Sequence, residues 1–313
     1  MAFTAADVKT LREQTGAGMM DCKKALTASD GDFEKAIEFL REKGLAAAAK
    51  KAGRIAAEGV AYAMVCEKCG VGVVIEVNSE TDFVAKNEIF QSFVKDLAVV
   101  VMNENPADVE ALKACTYPGS DITVEKALQE KVLTIGENLQ IRRFERFDSN
   151  TMNVAYVHAG GKIGVLVGLE VSDNLRGNEA VVELGKDVAM QIAAMNPAFL
   201  DRASVPADTM EKEKAIQLAI MDNDPKMASK PLQVKEKIVV GKLSKYYEEN
   251  CLCEQTFVKD GDFSVEKYAE KIAKEQAGTI KIAKFVRFER GAGIEKKQEN
   301  FAEEISKLAG GAK

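Results

Sequence analysis

Asn87-Glu88, Lys95-Asp96, Ala98 and Asn105-Pro106 return as Asn178-Glu179, Lys186-Asp187, Ala189 and Asn196-Pro197, each 91 residues further along the chain. A spacing kept over four separate matches marks an internal repeat. Ahead of each copy stands an apolar run, Val71-Gly72-Val73-Val74-Ile75-Glu76-Val77 and Ile163-Gly164-Val165-Leu166-Val167-Gly168-Leu169. Both runs have the length and β-branched content of buried strands. Val60-Ala61-Tyr62 and Val154-Ala155-Tyr156 precede them, and the copies also end alike. Leu139-Gln140-Ile141-Arg142-Arg143-Phe144-Glu145-Arg146-Phe147 alternates like a half-buried strand, and Ile280 to Phe288 repeats its apolar and basic positions. The repeat therefore predicts an α+β core of two related subdomains, each an antiparallel hairpin, a helix and a returning strand. The expected boundaries are 59–148 for the first, and 149–205 with 251–290 for the second.

Working outward, the second subdomain is interrupted at 206–250 by charged sequence of helical period. Asp222-Asn223-Asp224-Pro225 breaks it into two helices, so a protruding helical hairpin is expected. Ala215, Leu218, Ala219 and Met221 would line one helix, facing Ile238, Val239, Leu243 and Tyr246 on the other. Residues 1–45 read as a three-helix, ubiquitin-associated-like bundle. Thr4 and Asp7 suggest a capping box, Gly16-Ala17-Gly18 a break, and Asp30-Gly31 a turn. Asp32 would cap the third helix, which carries Phe33, Ala36, Ile37 and Leu40 and would stop at Gly44. An Ala- and Lys-rich helical linker would fill 46–58, and a C-terminal module 291–313.

Composition narrows the function. The formal net charge is -6 and the pI about 5.3. Nucleic-acid binding draws on net positive charge, so direct contact with nucleic acid is not expected and a protein partner is. No run of eighteen apolar residues occurs, so no membrane span is expected. The start, Met1 to Asp7, lacks the basic and apolar regions of a secretory signal, which points to a cytoplasmic protein. Six cysteines in such a chain read as reduced thiols. Cys66-Glu67-Lys68-Cys69-Gly70 could supply half a zinc site and Cys251 with Cys253 the other half. However, C-x-C is a poor half-site and nothing in the sequence brings the pairs together. A tight turn between strands, for which Gly70 is suited, is the simpler reading, and no metal or cofactor is expected.

Superimposing the copies sets Thr81-Asp82-Phe83-Val84 on Ser172-Asp173-Asn174-Leu175. A hydroxyl followed by a carboxylate between strand and helix suits an N-cap in both. The phenylalanine has no counterpart. By its type it is a core contact; the alternative is an exposed anchor for a partner's pocket. An enzyme is the first rival reading, but His158 is the single histidine and no nucleophile motif accompanies it. Gly160-Gly161-Lys162 lacks the spacing of a phosphate loop. A thiol-redox or zinc module, and a ubiquitin-like adaptor working through residues 1–45, are the others.

Several stretches resemble one family, the elongation factor Ts proteins. Thr15-Gly16-Ala17-Gly18-Met19-Met20-Asp21-Cys22-Lys23-Lys24-Ala25-Leu26 is similar to its N-terminal signature. Glu76-Val77-Asn78 with Thr81-Asp82-Phe83-Val84-Ala85 is similar to its second. Ile135-Gly136-Glu137-Asn138, Tyr156 to Val167, and Phe288-Glu289 with Gly293-Ile294-Glu295-Lys296 also fit. The resemblance spans the chain and is weakest in the arm; the Cys66/Cys69 and Cys251/Cys253 pairs depart from the family pattern. It implies a non-enzymatic exchange factor that binds GDP-bound elongation factor Tu and promotes GDP release. Asp82 and Phe83, flanked by Thr81 and Val84, would disturb the partner's Mg²⁺ and phosphate site. Further partner contacts would come from Arg12, Met19, Met20, Lys51, Ile135, Gly136, His158 and Val258. The 206–250 arm would offer a homodimer surface.

Overall fold

The computed structural model describes residues 3–295. Most of the expected C-terminal module, with Lys296 and Lys297, lies outside the described residues, as do Met1 and Ala2. The chain begins with α1 (Ala5–Thr15), α2 (Met19–Ala28) and α3 (Phe33–Lys51). Thr4 caps α1 in a capping box with Asp7, and Asp32 caps α3 by accepting from the Lys35 N–H. Val8, Leu11, Ala25, Leu26, Ala36 and Leu40 bury the apolar stripes of the three helices against one another.

One helix end departs from expectation. Gly44 does not stop α3, which runs on as helix to Lys51. A Cβ at Gly44 would lie 3.5 Å from the Gln129 carbonyl oxygen, an ordinary contact, and the backbone there stays helical. Beyond Lys51 the linker is non-helical until the first strand.

The first half of the core comprises β1 (Glu58–Val65), β2 (Gly72–Ser79), α4 (Asp82–Ala85), α5 (Glu88–Glu104), α6 (Val109–Ala114), α7 (Val124–Ile135) and β3 (Gln140–Phe147). The second comprises β4 (Met152–His158), β5 (Ile163–Val171), α8 (Glu179–Met195), the arm, then β6 (Thr256–Phe257), β7 (Asp260–Ser264), α12 (Val265–Glu275) and β8 (Ile280–Glu289). The arm is α9 (Ala207–Asn223), α10 (Pro225–Ala228) and α11 (Leu232–Asn250). Each half forms a three-stranded antiparallel sheet, in the orders β1-β2-β3 and β4-β5-β8. The architecture is thus α+β.

The central strands β2 and β5 are buried on both faces, which is why their sequences are continuous apolar runs rather than alternating. Val73, Ile75 and Val77 face α5 through Phe90, Phe93 and Leu97, while Val165, Val167 and Leu169 face α8 through Leu184, Val188 and Ile192. The opposite faces meet in a second, thinner core of Ala61, Ala63, Val74, Phe147, Leu166 and Phe288. The layers therefore run helix, sheet, sheet, helix. The two sheets approach closely at Gly72, where a Cβ would stand 2.6 Å from Leu166 Cδ1.

The repeat reaches into backbone detail. Asn87 and Asn178 cap α5 and α8 with their side chains, and Asn105 and Asn196 end those helices in the left-handed region. The central strands carry matching register shifts, at Glu76/Val77 and Gly168/Leu169. It also includes a helix ahead of each returning strand. Thr123 caps α7 as Ser264 caps α12, each accepting from the N–H three residues on.

The first bulge holds a buried carboxylate. Glu76 is fully buried and accepts from Arg142 Nη1 (2.9 Å), Arg143 Nε (2.7 Å), Asn78 Nδ2 (3.2 Å) and the Gly291 N–H (2.7 Å). It fastens the chain after β8 to the first sheet.

In the arm, Met221 and Val239 are buried between the helices, and Leu218, Ile238, Leu243 and Tyr246 are half-buried. Ala215 and Ala219, expected on the same face, are exposed. The apolar residues of α9 cover two faces, and Ile216 and Ile220 stand outward.

Candidate functional site

β2 ends at Ser79 and passes through Glu80 into the short helix α4. Thr81 is its N-cap, with its hydroxyl accepting from the Val84 N–H at 3.4 Å. Glu137, just beyond the end of α7, clamps this cap. Its Oε2 accepts from the N–H groups of Glu80 and Thr81, both at 3.0 Å, and its Oε1 accepts from the Thr81 hydroxyl at 2.6 Å. The clamp is reciprocal, because Glu80 Oε1 accepts from the Asn138 N–H at 2.6 Å. Asn138 Nδ2 donates to the Arg54 carbonyl (2.7 Å), and the Ser79 hydroxyl donates to the Thr81 carbonyl (3.0 Å).

Val84 and Ala85 root the tip in the first core. Phe83 stands between those roots and the clamp, 80% exposed. The core alternative for this ring is therefore excluded. Asp82 is the first helical residue rather than the cap, and its Oδ2 pairs with Lys86 Nζ at 2.7 Å. The Lys86 hydrogen bond is the main influence holding the Asp82 carboxyl below the usual carboxylate range, and the charge of Arg290 adds to it.

Other residues singled out in the sequence are placed around this end. Ser79 pairs with Glu58, and three residues along β1 the Ala61 N–H donates to the Gly161 carbonyl at 2.8 Å. The β4–β5 turn thus lies beside the tip's end of the sandwich. His158 sits exposed at the start of that turn, with Nδ1 3.0 Å from the Tyr156 hydroxyl. Arg290 ties the same region together, donating to the Gly59 carbonyl and pairing with Glu58. Val258, 55% exposed, is held through its N–H on the buried Gln191 Oε1 at 2.9 Å. Gln191 is in the last turns of α8, where Arg287 Nη2 reaches the Ala193 carbonyl, and Arg287 pairs with Val165 near the start of β5.

The helical bundle joins through α7. Arg41 pairs with Glu130, and a Cβ at Gly16 would stand 3.7 Å from Thr134. Met19 and Met20, in the first turn of α2, are 43% and 62% exposed and stand outside the bundle's core. Arg12 is exposed on α1. Ile135 is half-buried at the end of α7, and Gly136 ends that helix in the left-handed region at φ 89°. Lys51 Nζ donates to the Val132 carbonyl at 3.3 Å, and partial burial lowers its pKa from the ordinary lysine value. α7 therefore links bundle and tip. Its flank receives the bundle, and its C-terminal turn presents Glu137.

Glu137 is a functional residue that the sequence alone does not single out. In Ile135-Gly136-Glu137-Asn138 the first two residues are the expected contacts, while the third is the clamp.

The arrangement offers an apolar ring and a carboxylate on a rigid support. Among the described residues no group of three or more His, Cys, Asp or Glu could hold a metal ion. Cys66 and Cys69 are at the β1–β2 turn, whereas Cys251 and Cys253 are buried against the second subdomain.

A family model for elongation factor Ts matches residues 80–292, from the tip to the segment after β8. An elongation factor Ts of Clostridium perfringens is 52% identical over 309 residues, covering 98% of this chain and 99% of that protein. Those of Clostridium kluyveri and Clostridium botulinum are 50% and 49% identical over 307 and 309 residues. These cover 97% and 98% of the chain, and 98% and 99% of the relatives. With such agreement over nearly its whole length, the chain belongs to the elongation factor Ts family of translation factors.

Proposed function

We propose that this chain is a guanine-nucleotide exchange factor that binds GDP-bound elongation factor Tu in the cytoplasm and promotes GDP release without chemistry of its own. The observation that carries this reading is Phe83, an 80% exposed ring on a tip whose neighbours are buried or hydrogen-bonded. An aromatic held out from a rigid support enters a partner's pocket with little loss of freedom, and such anchors dominate interface energy. In this reading Phe83 wedges into the partner's nucleotide-binding face. Asp82 disturbs the groups that hold Mg²⁺ and phosphate, and Thr81 and Val84 keep the pair in position.

Arg12, Met19, Met20, Lys51, Ile135, Gly136, His158 and Val258 supply the wider contact. Exposed methionines suit such a surface because they adapt to a neighbour's shape. A wide contact is needed on energetic grounds. A factor that lowers GDP affinity is itself bound less tightly when GDP is present, by the same ratio. A single coupling of about 1–3 kcal/mol is small for rapid release, so the bundle and both halves of the core act together. Outward-facing Ile216, Ile220 and Val240 make the arm the surface for a homodimer.

Stopped-flow release of a fluorescent GDP from elongation factor Tu, with and without the chain, tests the reading. Acceleration that saturates with chain concentration is expected, together with no GDP binding by the chain alone. Release that is unchanged at saturating chain would overturn it.

A further inference from the structure

The β1–β2 turn holds two thiols three residues apart. The turn closes through Cys66 N–H on the Val71 carbonyl and Gly70 N–H on the Cys66 carbonyl, both at 2.9 Å. Gly70 takes φ 69°, and Asn153 Nδ2 fastens its carbonyl at 2.8 Å. These contacts account for the glycine and involve neither thiol. Nevertheless the Cys69 N–H points at Cys66 Sγ, 3.2 Å away. Residues three apart in a tight turn lie within about 7 Å between Cα atoms, and a disulfide bridges roughly 4.4–6.8 Å. Cys69 is exposed and Cys66 half-buried, so a small molecule can reach both.

The other cysteines contrast with this pair. Cys22, Cys251 and Cys253 are buried, and the Cys115 thiol donates to the Ala111 carbonyl at 3.3 Å. Burial pushes Cys251 up to about 11 and Cys253 up to about 12. At neutral pH each then carries roughly a hundredfold less thiolate than an ordinary thiol, or less still. Cys66 is shifted the other way, held below the ordinary thiol range first by the Cys69 thiol and then by the Cys69 N–H.

We propose that Cys66 and Cys69 form a reversible thiol–disulfide pair that reacts with low-molecular-weight disulfides, Cys66 attacking and Cys69 resolving. In the first step the Cys66 thiolate attacks one sulfur of the small disulfide. A Cys66 mixed disulfide forms, the small S–S bond breaks, and one small thiolate leaves and takes a proton from water. In the second step Cys69 gives its proton to solvent and its thiolate attacks Cys66 Sγ. The Cys66–Cys69 bond forms and the second small thiolate leaves. Overall the two protein thiols are oxidised by two electrons and one disulfide is reduced to two thiols. The turn can hold both states because both cysteines belong to one closed loop. β2 separates this turn from Phe83 by about 25 Å, so the chemistry is independent of the exchange site.

The test uses the full reduced chain in a glutathione buffer containing glutathione disulfide, quenched with iodoacetamide and read by intact mass and peptide mapping. The expected product has lost two hydrogens, with the bond mapped to Cys66 and Cys69 and the other four cysteines still reduced. Cys69→Ser should stop at one glutathionyl group on Cys66. Cys66→Ser should form its Cys69 adduct about tenfold more slowly. A wild-type chain that stays reduced or stops at a mixed disulfide, a bond to another cysteine, or equal rates for the two variants would overturn the proposal.

Discussion

Thr81-Asp82-Phe83-Val84 and Ser172-Asp173-Asn174-Leu175 end equivalent strands at opposite ends of one sandwich. Both root an aliphatic residue in their own core, Val84 in the first and Leu175 in the second. Both place a hydroxyl residue at the N-cap. From there they differ. Phe83 projects into solvent, while Asn174 turns back to donate to the Ala277 carbonyl at 3.2 Å. Glu137 closes the first tip with a carboxylate, whereas the matching position after α12 is Gly278. A Cβ there would stand 2.5 Å from both Ser172 Oγ and Leu175 Cδ1. The second tip is closed without a carboxylate, by the Thr279 N–H on the Ser172 hydroxyl (3.0 Å) and the Ser172 N–H on the Thr279 carbonyl (3.1 Å). Finishing a strand of this fold therefore needs neither an aromatic nor a clamp. Those two features of the first tip are what the account assigns to partner binding.

The halves also differ at the bulges, where Glu76 of the first corresponds to Gly168 of the second. Glu76→Ala would leave Arg142 and Arg143 without their shared carboxylate and the Gly291 N–H without an acceptor. Breaking a buried pair costs about 3–5 kcal/mol, so denaturant unfolding should show a loss of that size. A loss below about 1 kcal/mol would mean that the buried carboxylate at the first bulge adds no more than a surface pair does.

Glu137→Ala attacks the clamp. Hydrogen bonds to a charged acceptor are worth about 1.5–3 kcal/mol. Amide exchange at Thr81 and Val84 should therefore rise at least tenfold, with exchange at Leu175 unchanged. Equal protection in mutant and wild type would show that the first tip, like the second, holds without a carboxylate clamp.

Asp82→Ala should have the smallest effect. Its pair with Lys86 is exposed, so the melting temperature should scarcely move. The sign with pH follows from the lowered pKa. The pair's contribution is present above the unfolded value near 3.9 and fades as pH falls through the lower folded value. At neutral pH the variant should keep its stability, and its GDP release should slow less than that of Phe83→Ala. Loss of stability at neutral pH would give Asp82 the capping role that the structure gives Thr81.

The halves were legible in the sequence because a strand buried on both faces and a helix packed on it each leave a pattern, and the pattern occurs twice. The clamp was not legible. Glu137 lies 56 residues from Thr81, and no local rule links a carboxylate after one helix to the cap of another. Gly44 misled for a related reason, since a glycine after an apolar stripe reads as a stop, yet its backbone stays helical and α3 runs on to Lys51. Ala215 and Ala219 misled because a helix apolar on two faces does not show which face its neighbour covers. The exposure of Phe83 depends on what surrounds it, so the repeat could isolate the ring without placing it.

GDP release from elongation factor Tu at saturating chain, compared among wild type, Phe83→Ala and Asn174→Ala, tests the central claim most directly. The account predicts at least a roughly thirtyfold slower release for Phe83→Ala, the loss of about 2 kcal/mol expected of an interface anchor. It also predicts an unchanged melting temperature for that variant and wild-type release for Asn174→Ala. Wild-type release by a folded Phe83→Ala chain, or equal losses at the two tips, would contradict it.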